Sequence, residues 1–358
     1  MDKHLLYMHR AYELAMKGWG KTLPNPMVGA VLVKSGKVIA EGWHPFCGGP
    51  HAEAMAIAKA GTKAKGADLY VTLEPCAHFG RTPPCTEAII KAGIKRVFVG
   101  VLDPNPRMNG ASVQILRKAG IIVEVGFLHK ELMRLNEAFN KYISTGMPFV
   151  TAKIAQTLDG KTATLAGESK WITARESREY SRDLRFGFDA IAVGINTVLR
   201  DDPGLNAPGK RLKKIILDTH LRISPKAKLF EGARAEDVFI FTASKSRKKL
   251  KAIVVPSPLK EGNIDLKWVL HSLARQEIAN VLIEGGGALI GNALKAGLVD
   301  KMVMYVAPTI MGEGLGAVRG LRIAKLSRAI GLKDIAVGRI GEDILIEGYV
   351  CSPELLGK

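Results

Sequence analysis

Cysteine is scarce in this chain, and aromatic residues make up only 6% of it. Four cysteines (Cys47, Cys76, Cys85 and Cys351) are too few to cross-link 358 residues into a disulfide scaffold. Two of them, Cys76 and Cys85, share a stretch rich in proline and glycine, which suits metal ligation better than cross-linking. Few aromatics also argue against a stacking platform for single-stranded nucleic acid. No apolar run reaches the ~18 residues that a membrane-spanning helix needs. The opening Met1-Asp2-Lys3-His4 lacks the apolar core of a signal segment, so a cytoplasmic protein without a membrane partner is expected. Acidic residues are outnumbered, 34 against 52 basic, for a net charge of +18. The excess is +8 within residues 1–146 and +10 beyond, with no basic tail or stripe. That spread suits small phosphorylated substrates better than nucleic acid, and a solvated lysine-rich surface accounts for most of it.

What is present is a chain with 47% apolar residues and a length at which single cores give way to two domains. Helical apolar spacing runs over 3–17 and ends at Gly18. Pro24-Asn25-Pro26 marks a turn, and 28–33 with 38–40 read as a hairpin around Ser35-Gly36. Helices are expected at 51–60, from Pro83-Pro84 to Gly93, at 112–119 and at 130–143, with strands at 69–73, 97–101 and 121–125. Strands alternating with helices predict a sheet covered on both faces. Thr145-Gly146-Met147-Pro148 reads as the linker between domains 1–146 and 147–358. Beyond it, strands are expected at 149–155, 190–193, 214–217, 238–241, 281–283, 302–306 and 344–350, and helices at 175–185, 266–275 and 288–295.

The first chemical cluster is His51-Ala52-Glu53, followed by Pro75-Cys76 and by Cys85. Zinc takes imidazole and thiolate ligands, and a catalytic zinc keeps one position for water. His51, Cys76 and Cys85 supply three ligands, and Glu53 is placed to move protons to and from that water. His51 and Cys85 are expected in the first turns of helices, where the Cys85 thiolate gains from the helix dipole. The order of these elements matches the nucleobase-deaminase signature, with a longer interval between the two cysteines. Cys47 is near enough in sequence to complete a four-ligand structural site, so a zinc that merely staples the fold is a competing reading. A deaminase acting on tRNA is another.

A second cluster is Val281-Leu282-Ile283-Glu284-Gly285-Gly286-Gly287, a strand, a glycine turn and the start of a helix. Glycines let the backbone approach a phosphate, but the acidic residue precedes them, which disfavours an ordinary dinucleotide fingerprint.

The run Thr72-Leu73-Glu74-Pro75-Cys76-Ala77-His78-Phe79-Gly80-Arg81-Thr82-Pro83-Pro84-Cys85 resembles the bifunctional riboflavin-biosynthesis deaminase/reductase family. So do Pro24-Asn25-Pro26-Met27-Val28-Gly29, Pro50-His51-Ala52-Glu53, Asp103-Pro104-Asn105-Pro106, Ser169-Lys170-Trp171-Ile172-Thr173, Asp201-Asp202-Pro203 and Glu284-Gly285-Gly286. The resemblance implies a cytidine-deaminase-like three-layer α/β/α domain followed by a dihydrofolate-reductase-like α/β domain. It implies one zinc ion and NADPH as cofactors, and phosphorylated pyrimidine ribosylamines as substrates. It also implies substrate contacts from Asn25, His44, His78, Arg81 and Asn105 in the first half, and from Lys153, Ser169, Arg185, Leu205 and Glu284 in the second. NADPH contacts are implied for Ala155, Trp171, Thr197, Asp201 and for Gly286, Gly287, Ala288, Leu289, Ile290, Gly291 and Asn292. The family's arginine after the Asp-Pro-x-Leu segment is absent here, which leaves Lys210 or Arg211 for its phosphate role. A homo-oligomer is left open.

Overall fold

The computed structural model describes residues 2–351 except 80–82, 107 and 247. Backbone contacts divide the chain into two compact units, 1–147 and 148–358.

The first unit opens with α1 (Lys3–Met16), followed by β1 (Gly29–Lys34), β2 (Lys37–Trp43), α2 (Ala52–Ala60) and β3 (Asp68–Leu73). It continues with α3 (Cys85–Lys91), β4 (Arg96–Val101), α4 (Ala111–Lys118), β5 (Ile122–Val125), α5 (His129–Leu135) and α6 (Glu137–Thr145). The strands form one sheet in the order β2-β1-β3-β4-β5, with β1 antiparallel to both neighbours and β3, β4 and β5 parallel. Strand alternation splits β1 between two cores. Ala30 and Leu32 pack with Ala52, Ala56, Ile89 and Leu116 of α2, α3 and α4. Val31 and Val33 pack with Met8, Ala11, Leu14, Leu132 and Phe139 of α1, α5 and α6. Two glycines allow this closeness. A Cβ on Gly29 would lie 2.0 Å from the Ala11 carbonyl oxygen, and one on Gly42 would lie 2.1 Å from that of Ala52. Gly42 thereby lets the start of α2, with His51 and Glu53, settle against β2.

The helix expected over 130–143 is two helices, broken at Asn136. The reason is a tertiary pull on that side chain. Asn136 accepts from the Met27 N–H at 2.8 Å and donates to the Met27 carbonyl at 2.9 Å. The clamp ties the helix pair to the segment that carries Asn25.

The second unit contains β6 (Phe149–Thr157), β7 (Lys161–Thr164), α7 (Arg175–Leu184), β8 (Ala190–Gly194), α8 (Ile195–Asp201) and β9 (Lys213–Leu217). There follow β10 (Val238–Thr242), β11 (Ile253–Pro256), β12 (Leu259–Lys260), β13 (Asn263–Ile264), α9 (Leu266–Ala274), β14 (Asn280–Glu284) and α10 (Gly287–Lys295). The chain then forms β15 (Lys301–Ala307), β16 (Gly314–Gly316), β17 (Gly331–Ile340) and β18 (Asp343–Cys351). Nine strands make one sheet in the order β11-β10-β9-β8-β14-β6-β15-β18-β17, parallel except for the last two pairings. Its central strands are continuously buried, as expected of a parallel sheet covered on both faces. No expectation from sequence covered β11 or β17. β17 is an edge strand exposed over most of its length, and its register slips between Lys333 and Ala336. Pairing with β18 holds it as a strand, without a repeating apolar pattern of its own.

Candidate functional site

In the first unit the end of β3 and the starts of α2 and α3 converge. His51 is the N-cap of α2, just outside its first turn, with extended backbone (φ −73°, ψ 153°) and no cap bond from its ring. The ring instead points its Nδ1 at Cys85 Sγ, 3.2 Å away, and at Cys76 Sγ, 3.4 Å away. The three ligand atoms all lie within 4.8 Å of one another, and no other group of three or more such ligands gathers among the described residues. Cys47 is outside this cluster, so a structural site with Cys47 as fourth ligand has no support in the geometry. Such separations fit one tetrahedral cation with bonds of about 2.0–2.3 Å, and two sulfurs with one imidazole nitrogen is a zinc donor set.

The thiols share a charge. The hydrogen bond from Cys85, the His51 ring and the Cys85 backbone N–H, which lies 3.2 Å from the Cys76 sulfur, pull Cys76 down to about 4. That bond and burial push the Cys85 thiol up. The first N–H of α3 thus serves Cys76, not the cysteine that opens the helix. A divalent cation held by His51, Cys76 and Cys85 would replace that shared proton. Glu53 is 3% exposed in the first turn of α2, and burial pushes its carboxyl up to about 7.

His44 and Asn25 join this cluster. The His44 ring meets His51 edge-on, with centroids 5.6 Å apart. Its Nδ1 lies 2.9 Å from the Pro50 carbonyl, an acceptor only, so that nitrogen carries the proton. Nε2 then accepts from Asn25 Nδ2 at 3.3 Å, and burial lowers the ring's affinity for a second proton. His78 points its Nδ1 at Met108 Sδ, 3.2 Å away, in the loop that carries Asn105. Arg81 lies outside the described residues.

Glu74 was not singled out from sequence, although it sits two residues before Cys76. It is 4% exposed and accepts from the N–H groups of Asp103, Gly110 and Ser112 and from the Ser112 hydroxyl, at 2.8–3.1 Å. One carboxylate therefore pins both ends of the Asn105 loop to the metal end of β3. An acid directly after the apolar strand pattern of 69–73 and two residues before Cys76 was the available signal.

In the second unit a cavity of about 830 Å³ opens beside the middle of β6 and the ends of β8 and β14. It brings together Lys153, Ala155, Ser169, Trp171, Arg185, Thr197, Asp201, Leu205, Glu284, Gly286, Gly287 and Ile290. Arg185 and Glu284 form a two-bond fork, Nε to Oε1 at 2.7 Å and Nη2 to Oε2 at 2.9 Å. Lys153 holds its ammonium 5.3 Å from the Tyr305 ring centroid, and burial lowers its proton affinity. Trp171 is 70% exposed, with the Arg178 guanidinium 4.4 Å from its ring centroid, so it is not a core aromatic. Gly285 and Gly286 both take left-handed backbone (φ 81° and 75°), which turns β14 into α10 with Gly286 as N-cap.

Ala288, Leu289, Gly291 and Asn292 lie on α10 away from the cavity lining. Gly287 and Gly291 serve packing. A Cβ on either would run into the carbonyl oxygens of Gly316 or Arg319, at 2.6 and 1.9 Å. Lys210 and Arg211 are also outside the lining. The Lys210 ammonium donates to the carbonyls of Phe186 and Phe188, and Arg211 pairs with Asp237. Cations that sequence reasoning missed line the cavity instead: Lys170, Arg178, Arg182, Arg200 and Arg319. Arg178, Arg182 and Arg185 recur at intervals of four and three, the spacing of one helix face, and that was the missed signal.

Among the described residues no helix is long and apolar enough to cross a membrane. Residues 1–101 match the family model of the cytidine and deoxycytidylate deaminase zinc-binding region, and 148–346 match that of the RibD C-terminal domain. The riboflavin biosynthesis protein RibD of Aquifex aeolicus is 47% identical, over 97% of this chain and 98% of its own length. That of Escherichia coli is 38% identical over 95% and 97%. Among solved structures, Acinetobacter baumannii RibD matches with a TM-score of 0.88 and 38% identity, covering 98% of this chain and 99% of that one. A Thermotoga maritima diaminohydroxyphosphoribosylaminopyrimidine deaminase/5-amino-6-(5-phosphoribosylamino)uracil reductase matches with a TM-score of 0.87, 38% identity and the same coverage. The chain belongs to the RibD family, the bifunctional zinc-dependent deaminases and NADPH-dependent reductases of riboflavin biosynthesis.

Proposed function

We propose that residues 1–146 deaminate 2,5-diamino-6-ribosylamino-4(3H)-pyrimidinone 5′-phosphate, and that residues 147–358 reduce the ribosyl group of the product to a ribityl chain. The observation that carries the first assignment is the convergence of His51 Nδ1, Cys76 Sγ and Cys85 Sγ within 4.8 Å, with buried Glu53 beside them. Zinc held by these three residues would supply an activated water at its fourth position. Glu53 is the proton carrier. Its burial keeps the carboxyl near the pKa at which it can both take a proton and return one to the departing amine. The neutral His44 ring, fixed by Pro50 and Asn25, orients the pyrimidine, and the Asn105 loop, pinned by Glu74 to the metal end of β3, supplies Asn105 to the substrate.

In the second unit, NADPH would supply a hydride to ribose C1 as the bond from C1 to the ring oxygen breaks, the freed oxygen taking a proton from water. Lys153 and Arg185 supply the positive charge that faces the ribosyl phosphate, with the Glu284 carboxylate orienting Arg185, while Thr197, Asp201, Trp171 and the start of α10 hold the cofactor. The spread of basic charge supports small anionic molecules, and not nucleic acid, as partners.

Fragments separated near Gly146 test the assignment, with products identified by mass. The first fragment is expected to bind zinc and release ammonia from the diaminopyrimidinone. The second is expected to reduce the deaminated compound only with NADPH. Two folded fragments that both lack these reactions would overturn it.

A further inference from the structure

We infer that Lys214, a residue outside the cavity, is a positioning residue that sets the Arg185–Glu284 fork by holding Asn206. This rests on the assignment of the cavity to ribosyl reduction. Lys214 lies within β9, between Ile191 of β8 and Val238 of β10, and is only 4% exposed. A buried ammonium is a costly way to fill a core position, and an apolar side chain of the same length would fill it with less desolvation. Its hydrogen-bond partners are neutral: Asn206 Oδ1 at 2.9 Å and the Leu229 carbonyl at 2.7 Å.

The link then runs into the cavity. The backbone carbonyl of Asn206 accepts from Arg185 Nη1 at 2.9 Å, and Arg185 gives two further N–H groups, on Nε and Nη2, to Glu284. The preceding residue, Leu205, has φ 52°, a conformation that L-residues with a side chain disfavour. A turn of this kind keeps its shape only under restraint from its surroundings. Lys214 supplies that restraint from beneath, through the side chain of Asn206. The ammonium therefore acts at a distance: it fixes a carbonyl, the carbonyl orients a guanidinium, and the guanidinium orients the carboxylate of Glu284.

The test uses the full chain. Lys214→Met, Asn206→Ala and the double variant are assayed for NADPH-dependent reduction of the deaminated ribosyl phosphate. Each single variant is expected to raise the KM for that substrate by roughly tenfold to a hundredfold. The KM for NADPH and the deamination rate should stay at wild-type values. The double variant should be no worse than the weaker single one, because both changes cut the same link. Multiplied losses in the double variant, or wild-type kinetics in Lys214→Met, would overturn the inference. Should Lys214→Met not fold, Asn206→Ala tests the same link together with the Asn206 side chain's own place in the cavity lining, and a wild-type KM there overturns it. Glu284→Gln in the same assay separates the two levels. If that variant reduces substrate normally, the reading of the cavity fails. If it is impaired while Lys214→Met is normal, only the role of Lys214 fails.

Discussion

The metal cluster of the first unit draws its ligands from positions 51, 76 and 85, whereas the cavity of the second is lined by residues from Lys153 to Arg319. The difference lies in what each chemistry demands. A zinc ion accepts few atom types at short, fixed distances, so its ligands stand out as His and Cys at strand and helix ends. A cavity for large phosphorylated ligands is assembled from many cations and backbone turns, each of a type that is common on any surface. The first site therefore tolerates little substitution at few positions, and the second spreads its function over many.

The sharpest way to break this comparison is to remove a ligand. Cys85→Ala is expected to abolish zinc binding and deamination together while reduction of the deaminated substrate continues, because the cluster among the described residues offers three ligands and this variant removes one. Metal analysis beside a product assay reads both. One zinc per chain in that variant would return Cys47 to the site.

A smaller loss separates the proton carrier from the metal. Glu53→Gln keeps the shape of the side chain but cannot carry the proton, so deamination should fall by about 10²–10⁴. Zinc content should stay at the wild-type level. Deamination at an ordinary rate would remove Glu53 from the mechanism, and zinc loss would make it a support of the site.

The smallest effect is expected at Glu74, where the first unit most resembles the second in using distributed hydrogen bonds. Gln at this position turns one acceptor oxygen into a donor facing N–H groups of the Asn105 loop. The KM for deamination should rise on the order of tenfold, as expected for a displaced binding group, with zinc unchanged. An unchanged KM would mean that the loop's position does not matter to the substrate.

Much of the architecture was legible in the residue pattern. Strand β1, the buried strands β3, β4, β8, β9, β10 and β14, and helices α1, α2, α7, α9 and α10 appear within a residue or two of their expected places, and β2 runs three residues past its expected end. Apolar periodicity and glycine or proline punctuation are local signals, and these elements obey them. The expectation failed where a long-range contact decided the outcome. Asn136 breaks a helix because Met27 offers it a partner 109 residues away. β17 exists because β18 pairs with it.

By itself the sequence determined which side chains offer zinc ligands, where the inner strands of the two sheets run, and that Glu284 precedes a glycine turn. These follow from side-chain chemistry and short-range sterics, which need no knowledge of the fold. Only the tertiary structure decided the rest. It excluded Cys47 from the cluster, engaged Lys210 and Arg211 elsewhere, aimed the Arg178–Arg182 face of α7 into the cavity, and ran a buried lysine beneath Asn206. Each of those outcomes depends on distances between residues far apart in the chain. Such distances are set by how helices pack on a sheet, and no single stretch of sequence carries that information.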